Sequence, residues 1–261
     1  MTAALLPSLP ENAGLAFLGE TVRPDFLVAA AVARSLLAAA NPHGKPNADV
    51  LHEFIPTADS RPLRPRWLID FPAGMSADEA ALYQRPFRLL LRRPALRARR
   101  VWQNPGADVV LRSALAKLER YLVTPAAAPS PAWTWIDSQY LPGHRLLVVA
   151  RDDDFIDGVL VSRFFQAWWR HHHPRHTGLA IVRAFPFPWP PATRLSALTR
   201  QLEDRRLDVA RAARSGAGER LDAAVASAYG LVPDLPDEEL VSRLREWGAA
   251  RRPVVGKSPG R

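Results

Sequence analysis

The sequence predicts a mixed α/β domain of the α+β kind: a mixed sheet with packed helices, followed by a small C-terminal helical appendage. Three observations predict it. Segments with apolar residues at three-to-four spacing are interleaved with short β-rich runs over the first two-thirds of the chain. Helical periodicity alone fills the last third. The 261 residues, 48% hydrophobic and 23% charged, have an ordinary globular composition and are enough to bury a sizeable core. The change of texture places a boundary at Pro191, with segments 1–191 and 192–261.

Each element has its own local reason. Asp25 is a good N-cap, so FLVAAAVARSLLAAA reads as a helix ending near Asn41-Pro42. RWLIDF, Arg66 to Phe71, reads as a strand. Ser76-Ala77-Asp78-Glu79 is a capping box that opens a helix through Tyr83, with Pro86 bending or ending it. Val109 to Tyr121 is amphipathic and helical. Three β-like runs start at Tyr121, Trp133 and Arg145, and a proline-punctuated loop spans Thr124 to Ala132. RDDDFIDGVLVSRFFQAWW, from Arg151, is the strongest helical pattern. Asp152, Asp153 and Asp154 lie at its start, where the helix dipole favours negative charge. GLAIVRA, Gly178 to Ala184, reads as a strand.

AFPFPWPP follows, from Ala184 to Pro191. Alternate prolines enforce an extended strip with few donors for a sheet ladder. Phe185, Phe187 and Trp189 argue that the strip packs across a surface while carrying the chain between domains; a solvated linker is the alternative. Beyond it, Leu195–Arg214, Glu219–Tyr229 and Pro236–Trp247 read as helices.

Composition narrows the setting. No apolar run approaches the ~20 residues of a bilayer span. The start, MTAALLPSLPENAG, lacks a basic stretch followed by an apolar one, and it reads as the beginning of a gene product in its own right, an expression fragment being the alternative. There is no cysteine, which excludes disulfides and thiolate metal sites and fits a cytoplasmic location.

The net charge is +9, with pI about 10.8, and of the 35 basic residues only Lys45, Lys117 and Lys257 are lysine. Guanidinium offers a planar fork of donors that suits phosphates and guanine edges. A GC-rich genome also favours Arg, and the Ala and Pro excess fits that, so the clustering is the stronger signal. Basic runs span Arg61 to Arg66, Arg92 to Arg100 and Arg170 to His176, which together point to a nucleic-acid surface.

Catalytic patterns are incomplete. Consecutive aspartates on a helix diverge and suit capping better than metal binding. Adjacent histidines, His171 to His173, lack the spacing of structural zinc ligands. Asn41-Pro42-His43-Gly44 departs from the Asn-Pro-Pro-aromatic loop of enzymes that methylate base amines: the second proline and the aromatic are missing. No glycine-rich turn after a strand, P-loop, G-x-S-x-G or H-E-x-x-H is present.

Six landmarks in order, NPHGKPNADVL at Asn41, RWLIDF at Arg66, MSADEAALYQRPF at Met75, LERYLVTP at Leu118, ARDDDFIDGVLVSRFFQAWW at Ala150 and RAFPFPWPP at Arg183, together resemble the target-recognition and C-terminal helical region of MmeI-like DNA methyltransferases. These are the large single-chain type IIL and IIG restriction–modification enzymes and related phage-defence methylases. RLDAAVASAYGLVPDLPDEELVSRL resembles that family's C-terminal helices, so the likeness runs from about Asn12 to Arg245. It implies a target-recognition domain that binds double-stranded DNA and lends sequence specificity to a separate adenine-N6 methylase. S-adenosylmethionine would sit on that catalytic partner and no cofactor on this chain. Nuclease or translocase subunits are further partners of such systems; a membrane is not. The appendage would dock the catalytic subunit or clamp the first domain.

Under this resemblance Arg92, Arg93, Arg97, Arg99 and Arg100, crowded on one short, flexible segment, are expected to contact phosphates, as are Arg61, Arg64 and Arg66. Arg163, His172, Arg175, His176 and Arg183 are expected near base edges. Arg163 falls four positions after Val159, on the apolar side, where pairing with an Asp is the other reading. The stretch from Arg163 to Phe185 is shorter than in the family and carries HHHPRHTG, so positioning or shape readout is implied more firmly than base readout. Trp67, Trp133, Trp135 and Trp168 are expected in the core.

Overall fold

The computed structural model describes residues 6–58, 63–99, 102–216 and 218–252. Among them the chain forms β1 (Ala16–Leu18), β2 (Leu27–Val28), α1 (Ala30–Leu37), β3 (Leu51–Ile55), β4 (Arg66–Ile69), α2 (Ala77–Ala81), α3 (Gln84–Leu91), α4 (Pro94–Arg99) and α5 (Val109–Leu115). It continues through β5 (Arg120–Pro125), β6 (Thr134–Asp137), β7 (Tyr140–Pro142), β8 (Leu146–Val149), α6 (Asp154–Val161), α7 (Arg163–His172) and α8 (Gly178–Ala184). The last three helices are α9 (Arg200–Ser215), α10 (Gly218–Tyr229) and α11 (Asp237–Ala250). The mixed α/β class is therefore as expected. One sheet has the order β1-β8-β5-β6. The other, β2-β4-β3-β7, is mixed: β4 is antiparallel to β2 and β3, while β3 runs parallel to β7.

Contacts divide the chain into two units that are discontinuous in sequence. A helical unit comprises the described parts of Met1–Phe17, Ala126–Trp133 and Val149–Arg261; a sheet-bearing unit comprises Leu18–Pro125 and Thr134–Val148. The division does not fall at Pro191. The helices beyond that residue pack on α6 and α7 and share one core with them.

Within the helical unit, α6 begins at Asp153, whose Oδ1 accepts from the Ile156 amide at 2.9 Å. The single long helix expected to run on to Trp169 is broken at Ser162, which has extended backbone (φ −65°, ψ 159°). Its hydroxyl donates to the Val159 carbonyl at 2.7 Å, and Asp222 accepts from the Arg163 amide at 2.8 Å, so the break leaves those groups satisfied. GLAIVRA is a helix, α8, and not a strand. Thr177 caps it by accepting from the Ala180 amide at 3.4 Å, and Ile181, Val182 and Ala184 form its buried side. A run this short has an apolar content that fits either element.

The Phe-Pro strip is core. Phe185 and Phe187 are fully buried and Trp189 nearly so. Phe185 packs edge-on against Phe165 and Phe187, and Trp189 stacks on Phe155 with ring centroids 4.6 Å apart. A buried extended segment must find donors for its carbonyls outside any sheet. Here side chains supply them: Asn12 Nδ2 donates to Phe185 at 2.8 Å, the Tyr229 hydroxyl to Pro186 at 2.9 Å, and Arg251 to Phe187 and Pro188 at 2.5 and 2.8 Å.

Within the sheet-bearing unit, Phe26, Phe54, Leu68, Phe71, Tyr83 and Leu90 form the centre of a second core. The predicted capping box at Ser76 and Glu79 is present in both directions. Asp25 does not cap a long helix: Pro24 to Phe26 is a 3₁₀ turn, β2 follows, and α1 begins only at Ala30. Arg112 is the polar hub of this unit. It meets Glu20 in a two-point pair at 2.5 and 2.6 Å and also donates to Asp70, both acids being buried. His52 faces the same group, and burial holds its imidazole below the usual histidine pKa.

Candidate nucleic-acid interface

The helices α3 and α4 explain why one basic run becomes a surface. Pro86 lies in the first turn of α3, where a missing amide costs little, so it sits in a new helix after the capping-box helix α2 has already ended at Ala81. Leu90 turns into the core while Arg85, Arg88 and Arg92 face solvent. Pro94 then opens α4, Leu96 anchors it inward, and Arg97 is exposed. The segment is thus helical where a flexible stretch was expected. None of Arg85, Arg88, Arg92 and Arg97 has a hydrogen-bond or carboxylate partner for its side chain among the described residues.

Beside them lies an open cleft of about 700 Å³, lined by Ala77, Phe87, Arg88, Leu91, Arg92, Arg97 and Trp102. Its aromatic wall is rigid. Phe87 and Trp102 meet nearly at right angles with centroids 5.8 Å apart, and both pack edge-on against buried Phe71.

The other expected residues divide into solvent-facing and internally engaged groups. Arg64 and Arg66 are exposed in the sheet-bearing unit, Arg66 at the start of β4. Arg175 is exposed and His176 half-buried in the helical unit. Arg61 and Arg100 lie outside the described residues, as does the side chain of Arg99.

Four residues are turned to structural use. Arg93 donates to the carbonyls of Asp25 and, at 3.0 Å, Leu27, tying α3 to the turn before β2. Arg163 donates to Pro233 and Leu235 at 2.5 and 2.7 Å and to Asp237 at 2.8 Å, which is the Asp-partner reading with two loop carbonyls added. Arg183 directs two donors at the Ala16 carbonyl, at 3.2 and 2.9 Å. His172 is buried against Trp168 with ring centroids 4.2 Å apart, and its pKa is pushed down to about 4 by burial first, then by the basic neighbours His171, His176, Arg245 and Arg175. It is neutral at pH 7 and has no cationic role toward a phosphate.

Arg85 and Arg88 are additions that the sequence alone did not single out. Their signal was the four-residue spacing from Arg88 to Arg92, visible once 84–91 is taken as helix. Of the expected core tryptophans, Trp168 is buried, Trp133 packs on Phe165, and Arg120 lies over the Trp135 ring at 3.9 Å. Among the described residues no group of three or more His, Asp or Glu is placed to hold a metal ion, and no helix is long and apolar enough to cross a membrane.

No family model matches the chain, and no curated protein matches its sequence. Among solved structures, its fold is similar to that of the type IIL restriction–modification enzyme MmeI in complex with DNA, with a TM-score of 0.53 and 14% identity. The match covers 95% of this chain and 36% of that one, so the chain spans about a third of the length of that enzyme.

Proposed function

We propose that this chain is the DNA target-recognition component of a restriction–modification or phage-defence system, and that a separate S-adenosylmethionine-dependent adenine-N6 methylase supplies the chemistry. The observation that carries the reading is the unpaired arginine face of α3 and α4 in a chain of net charge +9. The fold likeness to a DNA-bound restriction–modification enzyme supports it. Solvated guanidinium groups without internal partners release the counterions of phosphates at little structural cost. Arg64, Arg66 and Arg175 extend the candidate set.

A second reading, an assembly subunit without base readout, is favoured by one observation. Arg163, Arg183 and His172, three of the five residues expected near base edges, are engaged inside the fold. Shape and phosphate contacts would then carry the recognition.

The test replaces Arg92 and Arg97 with Ala and follows duplex affinity from 50 to 200 mM salt. Removing one arginine–phosphate pair lowers the log–log salt slope by about 0.9, so the double variant should show a slope shallower by about 2 and weaker binding to every sequence. An unchanged slope removes this face from the interface.

A further inference from the structure

We propose that the cleft beside α3 and α4 holds one unpaired nucleotide of a DNA strand, its base against Phe87 and Trp102 and its flanking phosphates on Arg88, Arg92 and Arg97. The inference rests on the DNA-binding reading and adds a specific ligand to it.

The walls define the ligand by chemistry. The floor is apolar and aromatic: Phe87 and Leu91, four residues apart, share one face of α3, and Trp102 closes the corner. Leu91 is 39% exposed although it lies in the apolar part of the cleft, so the floor is open to a partner. The rim carries three guanidinium groups that form no ion pair among the described residues, which favours an anionic ligand over a cationic one. A planar apolar group joined to a phosphate satisfies both at once. The volume, about 700 Å³, falls in the range of small-molecule sites and accommodates a base with its sugar.

The row of cations favours a strand over a mononucleotide. Arg88 and Arg92 are one turn apart, about 6 Å along α3, and Arg97 continues from α4. Arg88 and Arg92, a helical turn apart, can each meet a different phosphate, and a backbone leaving a duplex presents several phosphates in succession. Stacking on an aromatic face is tolerant of base identity, so the cleft would recognise the unpaired state and not a sequence.

The test uses the full chain and three probes: a duplex with one unpaired 2-aminopurine nucleotide, the same duplex fully paired, and free deoxyadenosine monophosphate as competitor. The expected result is about tenfold tighter binding of the bulged duplex, with a change in 2-aminopurine fluorescence. Trp102→Ala should abolish that preference and leave paired-duplex affinity unchanged. Because Trp102 also packs on the core, the uncharged change Leu91→Gln, at an exposed position, serves as the second variant and should weaken the preference for the bulged duplex while leaving the arginine charges in place. Equal affinity for bulged and paired duplex overturns the inference and leaves the DNA-binding reading intact. Failure to bind either duplex overturns that reading and the inference with it. Displacement of the fluorescent base by the free mononucleotide at micromolar concentration overturns the assignment to a strand.

Discussion

At the scale of single residues, His172 has the clearest measurable consequence. Its imidazole is 8% exposed, and its Nε2 has no hydrogen-bond partner among the described residues. The folded-state pKa of about 4 lies below the unfolded value near 6.5, so the unfolded chain takes up the proton first as pH falls. The stability His172 contributes is complete above about pH 6.5 and is lost as pH drops toward 4. A shift of this size corresponds to about 3 kcal/mol. Urea unfolding of wild type and His172→Phe at pH 7 and pH 4.5 checks it: the wild type should lose more stability than the variant. An equal loss would show that His172 is not the acid-sensitive group. The same scale shows what the sequence left hidden. The position of Arg163 on the apolar side of a helix marks it for burial, yet its acceptors Pro233, Leu235 and Asp237 lie about seventy positions away. No local pattern identifies them, so spacing alone left two roles open for that guanidinium.

Between elements, the contact of α6 with α9 and α10 is set by the lack of a side chain at Gly158. A Cβ there would lie 2.8 Å from Val209 Cγ1, 3.1 Å from Ala213 Cβ and 3.2 Å from Leu221 Cδ1. Helix propensity favours Ala over Gly by about 1 kcal/mol. Overpacking typically costs about 1–3 kcal/mol, and β-branched Val209 has little rotamer freedom to retreat. Gly158→Ala is therefore expected to destabilise by about 1–2 kcal/mol net, read as a lower denaturant midpoint; a stabilised variant would show that α9 moves aside cheaply. Elements with a cap in the sequence were legible: the box at Ser76 and Glu79, and the aspartates before α6. Elements decided by distant packing were not. Ser162 breaks the strongest helical pattern where Asp222 accepts from the Arg163 amide, and GLAIVRA is helical behind its Thr177 cap. The basic run from Arg92 was read as a flexible segment, although Pro94 sits where α4 starts.

For the whole molecule, the Phe-Pro strip links segments that are far apart in the chain. Arg251 supplies two of its carbonyl bonds, lies over the Trp247 ring at 5.1 Å and pairs with Glu11 at 3.3 Å. Arg251→Met keeps the apolar stem and removes the donors. Stranding two carbonyls should cost about 2–4 kcal/mol, a Tm drop of about 5–10 °C, which differential scanning calorimetry can read. An unchanged Tm would mean that the strip does not depend on this residue. The strip was legible as a packed aromatic element but not as one fed by donors from Asn12, Tyr229 and Arg251, since those partners are set by tertiary closure. Similarly, the clustered basic runs were legible in the sequence, while their sorting into solvated arginines on α3–α4 and internally bonded ones at Arg93, Arg163 and Arg183 required coordinates.

The same closure has a consequence for birth on the ribosome. Translation proceeds at roughly 5–20 residues per second, and the aromatics from Phe185 to Trp189 emerge seconds before Arg251 does. Until the Arg251 guanidinium arrives, the nascent helical unit holds sticky rings with carbonyls still lacking donors, a stretch fit for capture by a chaperone and sealed only after about sixty further residues have been made.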